Sequence, residues 1–349
     1  MIPIKTNFVA QKYLKFRMGA AVTFNEAFFS GDFDFEKTAL EIFRFQYTHN
    51  PVYKNYVDAI GTNLSGIDKI EKIPFLPIRF FKTHKVIAAP FQEEVVFESS
   101  GTTGTINSRH YIKSKSLYEK SLFACFNQFY GAAADWCILG LLPSYLERNN
   151  SSLVYMVQKL IEKSNHKSSG FYLYEFDKLK IVLKDLEQQK QKTLLIGVTF
   201  ALLDLAAQHH LKLDHTIIME TGGMKGRREE MIRAEVHDML KSAFGLKQIH
   251  SEYGMTELLS QAYSKGDGIF KPPVWMRILL RDEEDPLTIK KTGSESRLRG
   301  IINIIDLANI YSCSFIATDD LGILHQNGTF EITGRMDNSD LRGCSLLAL

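Results

Sequence analysis

Glu98-Ser99-Ser100-Gly101-Thr102-Thr103-Gly104-Thr105 joins two short runs with strand character, 95–98 and 109–113. Its glycines allow a backbone that turns successive N–H groups toward one spot, and the Ser and Thr hydroxyls crowd around it. That composition suits a polyphosphate. It is not the Walker type, because no Gly-Lys-Ser/Thr follows and the next element reads as a strand. A hydroxyl-rich hairpin without a ligand is the plain structural alternative. Beyond the stretch, β-rich and helical runs alternate, with strands at 109–113, 135–142, 171–176, 193–199 and 216–220 and helices at 115–130, 151–163, 177–189 and 200–209. Such alternation predicts an α/β fold.

Upstream, residues 1–94 read as a helical, aromatic region packed on the core. Asp34 caps a helix through Phe35, Ala39, Ile42, Phe43 and Phe45, and Pro51 opens another. Downstream, residues 95–266 form the α/β core. Its most regular helix is expected over 227–244, with Ile232, Val236, Met239, Leu240 and Ala243 on one apolar face and Gly245 as a left-handed stop. From 267 to 349 the texture changes to a small C-terminal β-subdomain, with strands near 274–280, 300–306, 314–317, 322–325 and 329–333. Loops are expected at the charged 281–284 and the polar 290–296.

Composition narrows the function. The chain has 349 residues, 45% hydrophobic and 23% charged, with 42 Lys+Arg against 40 Asp+Glu for a net charge of +2. That balance gives no overall attraction for nucleic acid or anionic membranes. The N-terminus lacks a basic region followed by an apolar run and a cleavage site, so no secretory signal is read. The most apolar long stretch, 301–317, is broken by Asn303, Asp306 and Asn309 and reads as buried strand rather than a membrane span. The cysteines, 125, 137, 313 and 344, show neither zinc nor disulfide spacing, which suits a reducing, cytoplasmic setting. The wealth of Phe and Tyr is read as core, although an acyl-chain tunnel would use the same residues.

Three further segments carry chemistry. His250-Ser251-Glu252-Tyr253-Gly254-Met255-Thr256-Glu257 follows a strand expected at 246–249 and offers an aromatic face, a hydroxyl and a carboxylate at a spacing that suits one nucleotide. An ordinary helix N-terminus capped by Ser251 or Thr256 is the alternative. Thr221-Gly222-Gly223-Met224-Lys225-Gly226 allows a ligand close to the backbone, or is a plain βα turn. Thr318-Asp319-Asp320-Leu321-Gly322 offers carboxylates for ribose hydroxyls, or is a turn between strands.

In this order the segments resemble the core signatures of the AMP-forming adenylating enzymes, the superfamily of acyl-CoA synthetases, peptide-synthetase adenylation domains and luciferases. The resemblance runs from about Val95 to the C-terminus and rests on Ser100–Gly104, Gly222-Gly223, Tyr253–Glu257, Asp320–Gly322 and Gly334-Arg335-Met336-Asp337. It implies the fold of that superfamily's N-terminal domain, stacked β-sheets with flanking helices, with ATP and Mg2+ as cofactors. It further implies that Ser99, Ser100, Gly101, Thr102, Thr103 and Gly104 hold the phosphates and that Gly222, Gly223, Tyr253 and Gly254 surround adenine. Thr256 would contact the α-phosphate, Glu257 would be the metal ligand, and Asp320 and Arg335 would meet the ribose. The usual lysine after the phosphate loop is absent, so Arg109 or Lys113 is expected to supply the cation.

The short form and the ending Asp340-Leu341-Arg342-Gly343-Cys344-Ser345 are most similar to the LuxE-type acyl-protein synthetases of bacterial fatty-acid reductase systems. In that family a cysteine near the C-terminus takes the acyl group and passes it to a partner reductase, so Cys344 is the implied catalytic thiol. The superfamily's mobile C-terminal domain is expected to be missing beyond the hinge. The implied activity is activation of a carboxylic acid, fatty acyl in first place, to an acyl-adenylate, with transfer to a protein thiol on an acyl-accepting reductase or carrier protein. An acyl- or aryl-CoA ligase and a non-catalytic nucleotide-binding scaffold stay open as alternatives.

Overall fold

The computed structural model describes residues 26–99, 106–142, 150–222, 231–291 and 296–336. Helix α1 (Phe35–His49) starts at Asp34, whose carboxylate accepts the Lys37 N–H at 3.1 Å, and buries Phe35, Ala39, Ile42, Phe43 and Phe45. Asn50 closes it and at once caps α2 (Pro51–Ala59), where the proline needs no N–H partner. The short β1 (Leu76–Pro77) and α3 (Phe80–Thr83) lead to a hairpin of β2 (Val95–Glu98) and β3 (Arg109–Ile112), with Glu98 opposite Arg109.

Next come α4 (Lys115–Tyr130), β4 (Cys137–Leu141), α5 (Ser152–Ser164), β5 (Gly170–Phe171), α6 (Phe176–Gln188), β6 (Thr193–Val198), α7 (Thr199–Gln208), β7 (Thr216–Thr221), α8 (Arg233–Phe244) and β8 (His250–Tyr253). The strands β5-β4-β6-β7-β8 are neighbours in parallel, and β4 and β6 are buried along their whole length, as strands covered on both faces must be. Beyond β8 the same sheet continues antiparallel through β9 (Ala262–Ser264), β10 (Ile269–Lys271), β14 (Phe330–Arg335), β13 (Phe315–His325), β12 (Arg297–Asp306) and β11 (Met276–Arg281), and β1 adds to β13 in parallel. The α/β class and its flanking helices thus match the sequence reading.

Several local expectations are corrected. The strand expected at 246–249 lies instead at His250–Tyr253, so the signature residues themselves pair with β7 and β9. The run 171–176 splits, because Phe176 already begins α6. Residues 318–322 have the composition of a turn, yet β13 runs straight through them, held between β12 and β14 with a register shift at Leu321/Gly322. Gly322 is needed there: a Cβ would stand 2.6 Å from the Glu331 carbonyl and 2.7 Å from Ile302 Cδ1. On α8 the buried face is Val236, His237, Leu240, Ala243 and Phe244, while Ile232 and Met239 are exposed. Arg281, assigned to a charged loop, ends β11 and is buried.

Candidate active site

Parallel strands β7 and β8 end side by side, Thr221 opposite Glu252, at the carboxyl end of the sheet where open α/β folds place their ligands. Gly222 follows β7 with a φ of +72°, a backbone that glycine adopts without strain, and its carbonyl accepts the Thr199 hydroxyl at 2.7 Å. Tyr253 ends β8. Its ring packs 5.8 Å from Phe270 and 5.5 Å from Phe330, and its hydroxyl donates to Asp320 Oδ2 at 2.7 Å. Asp320 Oδ1 lies 3.7 Å from Arg335 Nε, in a pair set by the β13–β14 register. Burial pushes the Asp320 carboxyl up from the usual range, while Tyr253 and Arg335 pull it back. Arg335 itself is exposed.

Glu257 is buried, with its carboxyl pushed up by desolvation and drawn down by a hydrogen bond to Ser108 and by the charge of Arg335. The backbone before and at Glu257 is fixed from outside. His110 Nδ1 donates to the Thr256 carbonyl at 2.8 Å, and Asn309 Nδ2 donates to the Glu257 carbonyl at 2.8 Å. Asp306 then accepts from the N–H groups of Leu259 and Ser260 at 2.9 and 3.0 Å and from the Ser260 hydroxyl at 2.6 Å, which anchors the chain just beyond. Burial lowers the His110 pKa to about 4, so the ring is neutral near neutrality.

The base of the hydroxyl-rich loop reaches the same place. The Ser99 N–H donates to the Ser108 carbonyl at 3.0 Å and the Ser108 N–H donates to Ser99 Oγ at 2.9 Å, so the loop leaves from and returns to a point bonded to Glu257. Ser100, Gly101, Thr102, Thr103, Gly104, Gly223 and Cys344 lie outside the described residues. The cations expected to replace the missing lysine are otherwise engaged. Arg109 is exposed and pairs with Glu98 at 3.1 Å, and Lys113 sits 3.8 Å over the Tyr311 ring. Side chains alternate along a strand, so with His110 turned toward Thr256 both cations stand on the other face of the hairpin.

Sequence reasoning missed the state of two buried carboxylates behind the site, Glu220 and Glu252. Glu220 bonds Arg233 at 3.1 Å and lies 3.6 Å from His237. Despite burial its pKa is lowered, through His237 and Arg233. Among the described residues Glu252 has the Thr221 hydroxyl as its hydrogen-bond partner, and burial together with the charge of Glu220 raises it to about 7. Gly254 leaves the room this carboxyl occupies, since a Cβ would stand 2.4 Å from Glu252 Oε1. The register of β7 with β8 sets Glu220 beside Ser251 and Glu252 beside Thr221, on opposite faces of the sheet, so the two carboxylates act on each other through charge and not through a contact.

A buried carboxyl held, among the described residues, by the Ser108 hydroxyl and a backbone N–H is a donor that fits a hard divalent cation, which would supply the charge compensation that burial withholds. Among the described residues no group of three or more His, Cys, Asp and Glu could hold a metal by itself. Mg2+ commonly takes one or two carboxylates with the remaining places filled by substrate phosphates and water, so Glu257 fits that ion only together with a nucleotide.

This sheet, with the strand ends and loops that meet beside it, is the fold of the AMP-forming ligases. The solved structure of 2-hydroxyisobutyryl-CoA ligase in complex with 2-HIB-AMP and CoA is similar with a TM-score of 0.61, at 13% identity, covering 86% of this chain and 67% of that one. ATP-bound MatB from Rhodopseudomonas palustris is similar with a TM-score of 0.51, at 18% identity over 70% of this chain, which spans about half (49%) of that enzyme's length. The long-chain-fatty-acid–luciferin-component ligase of Aliivibrio fischeri is 24% identical over 340 residues, covering 89% of this chain and 86% of that protein. Residues 32–348 match the family described as acyl-protein synthetase, LuxE, and the chain belongs to that family. It is an enzyme, a ligase of the AMP-forming class. Among the described residues no helix is long and apolar enough to cross a membrane.

Proposed function

We propose that the protein uses ATP and Mg2+ to activate a carboxylic acid as an acyl-adenylate and then transfers the acyl group to a protein thiol. A carboxylate oxygen of the acid attacks the α-phosphorus of ATP, the bond to the bridging oxygen of pyrophosphate breaks, and pyrophosphate leaves. A thiolate then attacks the acyl carbon and AMP departs with the mixed-anhydride electrons. The chain's part is positioning and charge neutralisation. Ser99 and the loop through Gly104 hold phosphate oxygens, Thr256 meets the α-phosphate, and Glu257 holds Mg2+. Tyr253 and the glycines Gly222, Gly223 and Gly254 border adenine, with Asp320 and Arg335 at the ribose.

The observation that carries this reading is the meeting of four sequence-distant segments. Ser99 and Ser108, Gly222, Tyr253 to Glu257, and the Asp320–Arg335 pair close around one end of β7 and β8. The fatty-acid class of substrate is supported by the name of the A. fischeri relative. Transfer through Cys344 is supported by the state of the other cysteines. Cys125, Cys137 and Cys313 are all buried, with burial pushing the thiols up, Cys137 to about 11 and Cys313 to about 12, which leaves them protonated and poor nucleophiles. The acceptor beyond Cys344 is then a reductase or carrier thiol.

The test is incubation with radiolabelled fatty acid, ATP and Mg2+, followed by denaturing electrophoresis. Wild type should become labelled through a thioester and Cys344→Ser should not, while both consume ATP. If wild type stays unlabelled while coenzyme A is converted to acyl-CoA, the acceptor is the small thiol and the protein is an acyl-CoA ligase.

A further inference from the structure

A second polar centre lies away from the candidate active site, at the β11–β12 edge of the sheet. Arg281 is 6% exposed. Its Nη1 donates to the Ile302 carbonyl at 3.1 Å and to Asn303 Oδ1 at 2.7 Å, and its Nη2 donates to the Thr318 carbonyl. Among the described residues no carboxylate hydrogen-bonds it; Asp319, paired with Arg79 at 3.4 Å, acts on it through charge alone. A buried guanidinium satisfied only by neutral oxygens keeps its positive field, and buried arginines are otherwise almost always paired.

Asn303 relays that field into an open space. It is 1% exposed and lines a cavity of about 420 Å³ whose walls include Tyr56, Ile67, Ile73, Phe75 and Leu287. Because its Oδ1 accepts from Arg281, the amide orientation is settled, and its Nδ2 donates to no group among the described residues. A donor polarised at its oxygen by a cation is a stronger donor toward the next acceptor. The volume falls within the roughly 300–1,000 Å³ of small-molecule sites, and the wall combines apolar side chains with polar ones, Asn303 being the buried one and Thr62, Asn63, Glu71 and Lys72 the others. Glu71 and Lys72 at the wall are exposed, Lys72 bonding Asp68 at 2.9 Å, so solvent screens these charges and the buried Arg281 is the least screened one nearby.

We propose that this cavity binds an anion with an apolar body, an alkyl carboxylate or sulfonate, whose head group accepts from Asn303 Nδ2 while the chain lies against Ile67, Ile73 and Phe75. The site is independent of the adenylation reading, since none of its residues belongs to that site. Calorimetric titration of the full chain with octanesulfonate tests it, with inorganic sulfate and 1-octanol as separate arms. Wild type should bind one octanesulfonate and bind sulfate and octanol at least tenfold more weakly. Asn303→Asp places a carboxylate against Arg281 and keeps the fold, and should weaken octanesulfonate binding at least tenfold. Thr62→Trp, which fills the cavity wall and leaves Arg281 untouched, should do the same, and Glu257→Ala should bind as wild type does. Absence of binding to wild type at about 10 mM, or equal affinity in wild type, Asn303→Asp and Thr62→Trp, overturns the proposal, and equal binding of octanol would reduce the cavity to an apolar groove.

Discussion

Glu252 is the residue at which the chain works against its own stability. Its carboxyl is held protonated to about pH 7 by burial and by the neighbouring Glu220. In the unfolded chain it ionises in the ordinary carboxylate range, so the folded state binds more protons between about pH 4.5 and 7. Stability contributed by this group is therefore complete below that window and is lost as pH rises through it. Glu252→Gln keeps an acceptor for the Thr221 hydroxyl and removes the charge, so at pH 8 it should stabilise the protein by on the order of 2 kcal/mol, with little gain at pH 5. Thermal melts of both proteins at the two pH values check this; a gain of equal size at both would show that the side chain is ionised throughout. Glu257 is a related case, since burial raises its carboxyl as well, and its truncation should leave the melting temperature unchanged or higher while stopping the reaction.

At the scale of elements, what the sequence made legible depended on whether local signals and tertiary contacts agreed. Helix α4 keeps the bounds expected at 115–130, and the structure shows why: Ser114 caps one end and Gly131 stops the other, both acting within one turn. The α8 face was misread at Met239, since apolar spacing marks a stripe but not which edge of it meets the core; the structure turns His237 and Phe244 inward instead. β13 was broken at 318–322 because Asp-Asp-Leu-Gly has turn chemistry, and only the long partner strands on either side override it. Of the site, the segments bearing Tyr253, Glu257, Asp320 and Arg335 were legible as motifs, whereas His110, Asn309 and Asp306, which hold the Thr256–Glu257 backbone and the chain beyond it, carry no local pattern. The loop between β2 and β3 gives an element-scale prediction. Thr102→Val with Thr103→Val removes two hydroxyl donors to charged oxygens, each worth about 1.5–3 kcal/mol, so kcat/KM for ATP should fall at least tenfold. Steady-state kinetics with varied ATP decide it, and an unchanged value would remove the loop from the nucleotide site.

For the whole molecule, one continuous sheet changes from parallel to antiparallel at β8, and the candidate site sits where it changes. The parallel half presents Gly222 and Tyr253 at strand ends, the antiparallel half brings Asp320 and Arg335 alongside, and the hairpin bears on Glu257 through Ser108. No single half contains the arrangement, so a nucleotide bound there would tie the two together, and ATP with Mg2+ should raise the melting temperature with the logarithm of its concentration above Kd. The central claim is that this junction carries out acid adenylation, and acid-dependent exchange of labelled pyrophosphate into ATP measures that step alone. Across a series of fatty acids the wild type should exchange label only when acid and Mg2+ are both present, and Glu257→Ala should show none while remaining folded. Exchange by the variant at the wild-type rate, or no exchange by well-folded wild type with any acid, would contradict the account.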